Sequence, residues 1–113
     1  MADSILLFVY GSLKRGRRHH AELRGARFVR MARTVPAYRL LELGDYPALG
    51  SGARSIEGEL FDVTEALLVE LDRFEGDDYA RGAVRLEAGG SAVAYFATAE
   101  VAAGALELDD DVW

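Results

Sequence analysis

The sequence predicts a single α+β domain, and three observations favour that class. The chain has 113 residues, which is enough for one hydrophobic core and too few for two. Half of the residues are apolar and 28% are charged, as in an average globular protein. Five or six strand patterns and one clear helix pattern follow one another without regular alternation. We therefore expect residues 1–113 to form one domain, with mobility confined to the acidic tail from about 105 to 113.

The first strand is predicted at Ile5–Tyr10. This run is apolar and partly aromatic, and it is long enough to be buried on both faces before it stops at Gly11. It follows Asp3 without a basic leader and is too short for a signal peptide or a membrane span.

Two more strands and a loop are predicted next. Phe28–Val35 mixes apolar residues with arginines, as a half-buried strand does, and Tyr38–Leu43 extends the sheet after Pro36. Residues 44–53 are predicted to form a loop because chain breakers are frequent there. These breakers are Gly44, Pro47, Gly50 and Gly52.

The helix is predicted directly after a fourth strand at Ile56–Val63. Asp62 and Glu65 have the spacing of a capping box with Asp62 as the N-cap, and helix-forming residues continue to Phe74. Gly76 is placed to end this helix as its C-cap.

A β-hairpin is predicted after the helix. Arg81–Glu87 and Ala92–Thr98 carry alternating apolar residues on either side of Gly89-Gly90. The acidic run Asp109-Asp110-Asp111 lacks the other ligand positions and the glycine of a calcium loop, so we interpret it as a solvated segment.

The composition excludes several functional classes. Without cysteine the chain has no disulfide framework, no thiolate nucleophile and no cysteine-ligated metal, which agrees with a cytoplasmic location. The formal net charge of -6 argues against a general nucleic-acid binder. We expect a small-molecule ligand and neither a nucleic-acid nor a membrane partner.

The charges are unevenly distributed along the chain. Of the 13 basic residues, 8 lie between Lys14 and Arg33, whereas 17 of the 19 acidic residues lie at Glu42 or beyond. The basic segment is typical of a solvated face or of an electrostatic guide for anionic ligands. An RNA-contacting patch is the weaker alternative, because no aromatic residues interleave the first basic cluster and no nucleic-acid motif accompanies it.

The turn Tyr10-Gly11-Ser12-Leu13 is the first candidate functional feature. We expect Gly11 to adopt backbone angles closed to other residues, which leaves consecutive N–H groups free to converge on an anion such as a carboxylate. The turn is neither the nucleophile elbow of hydrolases nor a P-loop, and a purely structural turn is the competing interpretation.

Glu75 is the second candidate. Leu68, Leu71 and Glu75 are spaced i, i+3 and i+7, so the carboxyl group shares the inward-facing stripe of the helix with two leucines. Burial and the negative end of the helix dipole both disfavour ionisation, so its pKa should rise towards the range of a general acid and base. In the alternative, Glu75 tilts into water beside Asp77 and Asp78.

Ordered motifs from about Leu7 to Tyr95 resemble the gamma-glutamylcyclotransferase-like family. They are Phe8-Val9-Tyr10-Gly11-Ser12-Leu13-Lys14, Gly44-Asp45-Tyr46-Pro47, Glu57-Gly58-Glu59-Leu60-Phe61, Leu71-Asp72-Arg73-Phe74-Glu75-Gly76 and Tyr79-Ala80-Arg81. The resemblance implies a small mixed β-barrel with flanking helices. Enzymes of this family convert a gamma-glutamyl amine or amide into 5-oxoproline and a free amine by intramolecular attack, and no cofactor is implied.

The resemblance also implies roles for particular residues. The cavity would bind the carboxylate of the substrate at Tyr10, Gly11, Ser12 and Leu13, and Glu75 would be the catalytic general acid and base. Tyr79 is predicted either to reach the ligand or to pack as a structural tyrosine, and Arg81 to pair with a ligand carboxylate or with neighbouring acids.

Two histidines follow the turn. His19 and His20 lack a metal-like partner set, and His20 falls where the family often has a histidine that we interpret as structural. The chain departs from the common family pattern in having Ser12 in place of Thr and His19 in place of Asn.

Three hypotheses follow from the sequence. The first is a cyclotransferase with Glu75 as general acid and base, and the second is a non-catalytic protein of the same fold that binds a small carboxylate. The retained acid on an apolar stripe favours the first, since a pure binder of an anion would be better served there by a neutral or basic group. The RNA-contacting patch is the third.

Overall fold

The computed structural model describes residues 4–113, so Asp3 lies outside the described residues. Eight strands and two α-helices follow one another along this part of the chain. The strands are β1 Ile5–Val9, β2 Arg27–Arg33, β3 Tyr38–Leu43, β4 Tyr46–Ser51, β5 Glu57–Val63, β6 Tyr79–Arg85, β7 Ser91–Ala97 and β8 Leu106–Glu107. The helices are α1 Glu65–Glu75 and α2 Ala99–Gly104, and short 3₁₀ turns lie at His20–Leu23 and Gly76–Asp78.

The strands form one curled sheet in the order β2-β5-β1-β7-β4-β3-β8, and β6 pairs with β7. The residues that follow β2 and β6 meet each other: Thr34 bridges to Leu86, and the N–H of Glu87 donates to the carbonyl of Arg33 at 2.9 Å. β2, β5, β1, β7 and β6 therefore close into a small barrel. Because β1 and β4 each run parallel to β7 while the other pairs are antiparallel, the barrel is mixed, which confirms the predicted fold class.

The sheet divides beside β7, and this division creates the cavity. Leu7 of β1 pairs with Val93, and Leu49 of β4 pairs with Phe96 further along the same strand. β6 occupies the other edge of β7 along its whole length, so β1 and β4 use one edge in succession. The chain leaves the sheet after β1, and the turn that follows lies at the point where the two strands diverge.

Two apolar clusters hold the fold together. They lie on opposite faces of β1, because successive side chains of a strand point to opposite faces. Phe8 and Tyr10 belong to the cluster inside the barrel. Leu7 and Val9 belong to the cluster that packs under α1, together with Leu68. The strand that precedes the turn is thus buried on both faces, as its apolar sequence predicts.

The N-terminus of α1 differs from the prediction. Thr64 is the N-cap, and its hydroxyl accepts a hydrogen bond from the N–H of Leu67 at 3.1 Å. Asp62 remains inside β5, where its carboxylate accepts hydrogen bonds from Ser4 and Arg27. The expected capping box at Asp62 was wrong because the strand continues to Val63, whereas the predicted C-cap at Gly76 is confirmed.

The loop predicted at residues 44–53 was also wrong, because most of this segment is strand β4. Gly44, with φ of +66°, forms the tight turn that returns the chain from β3. Gly50 serves close packing, since a Cβ there would lie 3.1 Å from Leu41 Cδ1. Gly50 thus permits close approach of neighbouring strands. A count of chain breakers does not distinguish a glycine with this role from a glycine in a loop.

The acidic tail makes specific contacts. β8 pairs with β3, and the N–H of Glu57 donates to the carbonyl of Asp111 at 2.8 Å. Arg54 forms ion pairs with Asp109 and with Asp111, the latter at 2.8 Å. The interpretation of this run as simply solvated was therefore wrong for Asp111, whereas the side chain of Asp109 is exposed despite its ion pair. No helix within residues 4–113 is long and apolar enough to cross a membrane.

Candidate active site

One cavity of about 340 Å³ opens where β1 and β4 diverge. It brings together all six residues predicted for the site, because the turn at Tyr10–Leu13, Glu75 and Tyr79 line it jointly. The other lining residues are Phe8, Val9, His19, Tyr46, Pro47, Phe74, Asp78 and Tyr95.

The turn is shaped by close packing at Gly11. A Cβ at this position would lie 2.9 Å from Pro47 Cγ, and the φ angle of Gly11 is outside the left-handed region. The expectation of an unusual backbone angle was therefore wrong, and the lack of room beside β4 explains the glycine. The turn is closed by the N–H of Lys14, which donates to the carbonyl of Gly11 at 3.1 Å.

The N–H groups of Gly11, Ser12 and Leu13 find no acceptor among the residues that the structure describes. Buried main-chain donors are nearly always paired, so three consecutive donors without a protein partner beside a cavity are typical of a site for an anion or water. Their positions agree with the predicted carboxylate site.

His19 is a cavity residue that the sequence does not identify. Its ring Nδ1 lies 3.1 Å from the Ser12 hydroxyl, and its main-chain N–H donates to the Ser12 carbonyl at 2.9 Å. His20 lies outside the cavity with its Nδ1 2.8 Å from the Leu13 carbonyl and its ring against Phe61, which suits the structural role expected for it. Within residues 4–113, no group of His, Asp and Glu is placed to hold a metal ion.

The chain that follows the turn is anchored to the barrel by Glu59 of β5. This carboxylate is buried and accepts a hydrogen bond from the main-chain N–H of Arg15 at 2.9 Å. The Arg15 side chain pairs with its other oxygen at 3.4 Å. Lys14 is buried nearby, and loss of solvation lowers the pKa of its ammonium group. These contacts fix the end of the turn without using the N–H groups of Gly11, Ser12 and Leu13.

Glu75 is the last residue of α1 and is partly buried, whereas Asp77 and Asp78 are exposed. Leu68 and Leu71 on the same stripe are fully buried, so the helix is held with Glu75 facing the cavity. Burial raises the pKa of Glu75 from 4.5 to about 7. The alternative in which this side chain merely tilts into bulk water does not hold.

The tyrosines of the site are positioned by hydrogen bonds to the main chain. The half-buried Tyr79 donates its hydroxyl to the Pro47 carbonyl at 2.8 Å, so its ring lines the cavity while its hydroxyl is engaged. Tyr10 donates to the Tyr95 carbonyl at 2.6 Å and accepts from the N–H of Leu49 at 3.0 Å. The Tyr10 side chain therefore joins β7 to β4 inside the barrel core. The main chain of Tyr10 is the part that belongs to the turn.

Replacing Tyr10 with phenylalanine should lower the free energy of unfolding by about 2 kcal/mol, because two buried main-chain groups lose their shared partner. Urea unfolding would measure this change. Tyr79→Phe is the matched control, and its cost should be smaller because the Pro47 carbonyl loses a bond in a half-buried place that water can reach. Equal costs in the two variants would contradict the bridging role of Tyr10.

Arg81 does not line the cavity. Its guanidinium pairs with Asp72 at 2.6 Å and with Glu65 at 3.0 Å, so pairing with neighbouring acids is the alternative that the structure supports. The hydrogen bond from Arg81 holds the pKa of Asp72 below its usual value. Asp72 also accepts a hydrogen bond from the Tyr95 hydroxyl at 2.6 Å, which fixes this wall of the cavity relative to α1.

Four of the eight basic residues between Lys14 and Arg33 form ion pairs with neighbouring acids. Arg15, Arg24 and Arg33 lie 3.4, 3.9 and 3.6 Å from the carboxylates of Glu59, Glu70 and Glu57, and Arg27 pairs with Asp62. These acids come from β5 and α1, so the uneven charge distribution along the sequence becomes a set of ion pairs in the fold. Nucleic-acid binding depends on clusters of positive charge, and this pairing reduces the net positive charge of the segment. The RNA-contacting patch stays the weaker prediction from the sequence.

Known proteins resemble this chain in sequence and in fold. Residues 7–113 match the sequence model of the family described as "Gamma-glutamyl cyclotransferase, AIG2-like". A Vibrio cholerae relative named as a gamma-glutamylcyclotransferase is 40% identical over 70 residues, covering 62% of this chain and 61% of its own length. Human gamma-glutamylaminecyclotransferase is 43% identical over 81 residues, covering 62% of this chain and 52% of its own.

A solved structure shows the same fold. The crystal structure of a uropathogenic E. coli-specific protein superposes with a TM-score of 0.85 at 27% identity, covering 93% of this chain and 87% of that one. The alignments to the Vibrio and human relatives thus span only about half to three fifths of those proteins.

Proposed function

Because the chain belongs to the gamma-glutamyl cyclotransferase, AIG2-like family, we propose that it converts a gamma-glutamyl amine into 5-oxoproline and a free amine, with Glu75 as the general acid and base. One observation carries the proposal: the partly buried carboxyl group of Glu75 and the unpartnered N–H groups of Gly11, Ser12 and Leu13 line the same cavity. No cofactor is needed for this reaction.

The turn binds the alpha-carboxylate of the substrate in this mechanism. Its N–H groups supply hydrogen bonds to an anion without bringing a positively charged side chain into the cavity. With the carboxylate fixed there, the gamma-carbonyl lies towards Glu75. The substrate is then folded so that its own alpha-amino group approaches the gamma-carbon.

Glu75 moves one proton in each half of the reaction. Its carboxylate removes a proton from the alpha-ammonium group, and the free amine forms a bond to the gamma-carbon while the carbonyl electrons move to oxygen. When this tetrahedral intermediate collapses, the oxyanion re-forms the carbonyl, the bond to the leaving nitrogen breaks and the Glu75 carboxyl group returns its proton to that nitrogen. The second proton of the attacking nitrogen passes to solvent, which leaves the single N–H of the lactam ring. The products are 5-oxoproline and an amine, and Glu75 is regenerated as carboxylate.

Positioning supplies most of the rate enhancement in this scheme. Holding an internal nucleophile in the reactive geometry is worth about 7 to 11 kcal/mol, whereas a well-placed acid and base contributes about 10²- to 10⁴-fold in rate. The rigid cavity suits the larger contribution, because hydrogen bonds fix its tyrosines and Glu59 anchors its turn.

The charges of the cavity favour an amine as the leaving group. Its described lining contains the acids Glu75 and Asp78 but neither lysine nor arginine. The single carboxylate of a gamma-glutamyl amine can occupy the turn, whereas the second carboxylate of a gamma-glutamyl amino acid would lie without a counter-charge near two acids. The name of the human relative, a gamma-glutamylaminecyclotransferase, supports the same substrate class.

The proposal is tested by incubating the purified protein with gamma-glutamyl amines and gamma-glutamyl dipeptides and measuring 5-oxoproline by mass spectrometry. We expect product from the amines and less from the dipeptides. Ligand-induced thermal stabilisation without product from any compound would refute the enzyme and favour the non-catalytic carboxylate-binding protein.

The pH dependence should identify the acid and base. The value of kcat/KM is expected to rise with pH through an apparent pKa of about 7, because only the carboxylate of Glu75 can accept the substrate proton. It should fall again at higher pH, where the substrate loses its ammonium proton in solution. A rising limb near about pH 4, the ordinary range of a glutamate, would contradict the assigned environment of Glu75.

A further inference from the structure

Three aromatic rings stand together at one side of the cavity, and we term them the aromatic wall: His19, Tyr46 and Phe74. The His19 ring centre lies 5.2 Å from that of Tyr46 and 5.1 Å from that of Phe74. The His19 and Phe74 rings meet nearly edge to face, at 67°. These separations and angles are typical of favourable aromatic contacts.

The aromatic wall joins three separate parts of the fold. His19 belongs to the segment after β1, Tyr46 begins β4, and Phe74 lies in the last turn of α1. All three side chains keep part of their surface open, and Phe74 is 37% exposed. The result is an aromatic surface that runs from the cavity lining to solvent, where a ligand in the cavity would cover it.

The position of the aromatic wall relative to Glu75 indicates which part of a ligand would contact it. Phe74 immediately precedes Glu75 on α1, and both line the cavity. In the proposed reaction the leaving nitrogen receives its proton from Glu75, so the substituent on that nitrogen lies on the Glu75 side of the cavity. The alpha-carboxylate is held at the turn, where His19 contacts Ser12, so the Phe74 end of the aromatic wall lies nearest the leaving nitrogen.

The chemistry of the wall favours a flat or apolar substituent. Aromatic faces stack with other rings and exclude water from alkyl groups, and neither interaction needs a charged partner. Resting on the cyclotransferase activity proposed above, we infer that the aromatic wall binds the substituent of the leaving amine and makes the protein prefer amines with an aromatic or large apolar group.

Kinetics with two substrates test this preference. The value of kcat/KM for gamma-glutamylbenzylamide should exceed that for gamma-glutamylmethylamide by about tenfold, and Phe74→Ala should reduce this ratio by about 3- to 10-fold. Val69→Ala is the matched control, because Val69 is an equally exposed apolar residue of α1 outside the cavity lining. It should leave the ratio unchanged.

Binding separates this inference from the proposed activity. In a Glu75→Gln background, calorimetry should show tighter binding of the benzylamide than of the methylamide, and Phe74→Ala should remove the difference. That result without 5-oxoproline from the native chain would refute the cyclotransferase and support the aromatic wall as a binding surface. Turnover of both substrates at a ratio that Phe74→Ala does not alter would overturn the inference and leave the activity intact.

Discussion

Glu75→Gln is expected to lower kcat for 5-oxoproline formation by about 10²- to 10⁴-fold, the usual contribution of a positioned acid and base. Glutamine keeps the size of the side chain and its hydrogen-bonding ability, but it can neither accept the ammonium proton nor return a proton to the leaving nitrogen. The free energy that comes from folding the substrate is retained, so KM should change much less than kcat.

Asp77→Asn is the matched control for charge. Asp77 lies two residues after Glu75, is exposed and does not line the cavity, so its loss should change kcat by no more than about 2-fold. Comparable losses of kcat in both variants would indicate that the local negative charge matters and that Glu75 has no special role. Rates of 5-oxoproline release at saturating substrate would distinguish the two outcomes.

The folded state of Glu75→Gln can be checked through its stability, and the sign of the change is informative. Because burial raises the folded pKa of Glu75 above its unfolded value, this carboxyl group stabilises the fold at low pH and loses that contribution as pH rises through about 7. Glutamine removes the cost of an ionised carboxylate in this place. At about pH 8 the variant should be more stable than the native chain by about 1 to 2 kcal/mol, after allowing for partial exposure.

The same comparison at lower pH completes the test. Near pH 4.5, the unfolded pKa of Glu75, most of the gain should disappear because the native carboxyl group is then protonated in the fold. Urea unfolding of both proteins at the two pH values measures this difference. A variant that is less stable at both pH values would indicate that the Glu75 carboxylate has a structural partner.

The two predicted halves of the site were accessible from sequence because each depends on local rules. The stripe of Leu68, Leu71 and Glu75 follows from helix periodicity, and burial of the leucines determines where the carboxyl group faces. The turn follows from the end of a strong apolar strand at Gly11. Their meeting in one cavity was expected only through the family resemblance, since nothing local brings residues 11 and 75 together.

The features that sequence analysis missed depend on contacts between distant segments. The frequency of glycine and proline predicts a loop where the structure has β4. Gly50 instead allows close packing against Leu41 and Gly44 forms the turn after β3, and composition shows neither contact. Tyr10 is predicted as a substrate-binding residue of the turn, but the sequence does not reveal that its hydroxyl joins β7 to β4 in the core. His19 could have been suspected only from its departure from the family pattern.

Gly58→Ala is expected to cost about 3 kcal/mol of unfolding free energy, which is at the upper end for overpacking by one methyl group. Gly58 lies in β5, which pairs with β1, and a Cβ there would lie 2.5 Å from the Val9 carbonyl oxygen and 2.6 Å from Phe8 Cζ. The phenyl ring can rotate slightly, but the carbonyl belongs to the main chain of β1. Relief of the clash must therefore separate β1 from β5.

This separation should also affect the site, because Val9 immediately precedes the turn at Tyr10–Leu13. The melting temperature should fall by about 10 °C or more, and KM should rise more than kcat falls as the carboxylate site is displaced. Gly104→Ala is the matched control, since its Cβ would meet nothing within 4 Å at the end of α2 and should slightly stabilise the helix. Equal melting temperatures for the two variants would show that β1 and β5 can separate without cost, and the turn would then lack the rigid support on which carboxylate binding depends.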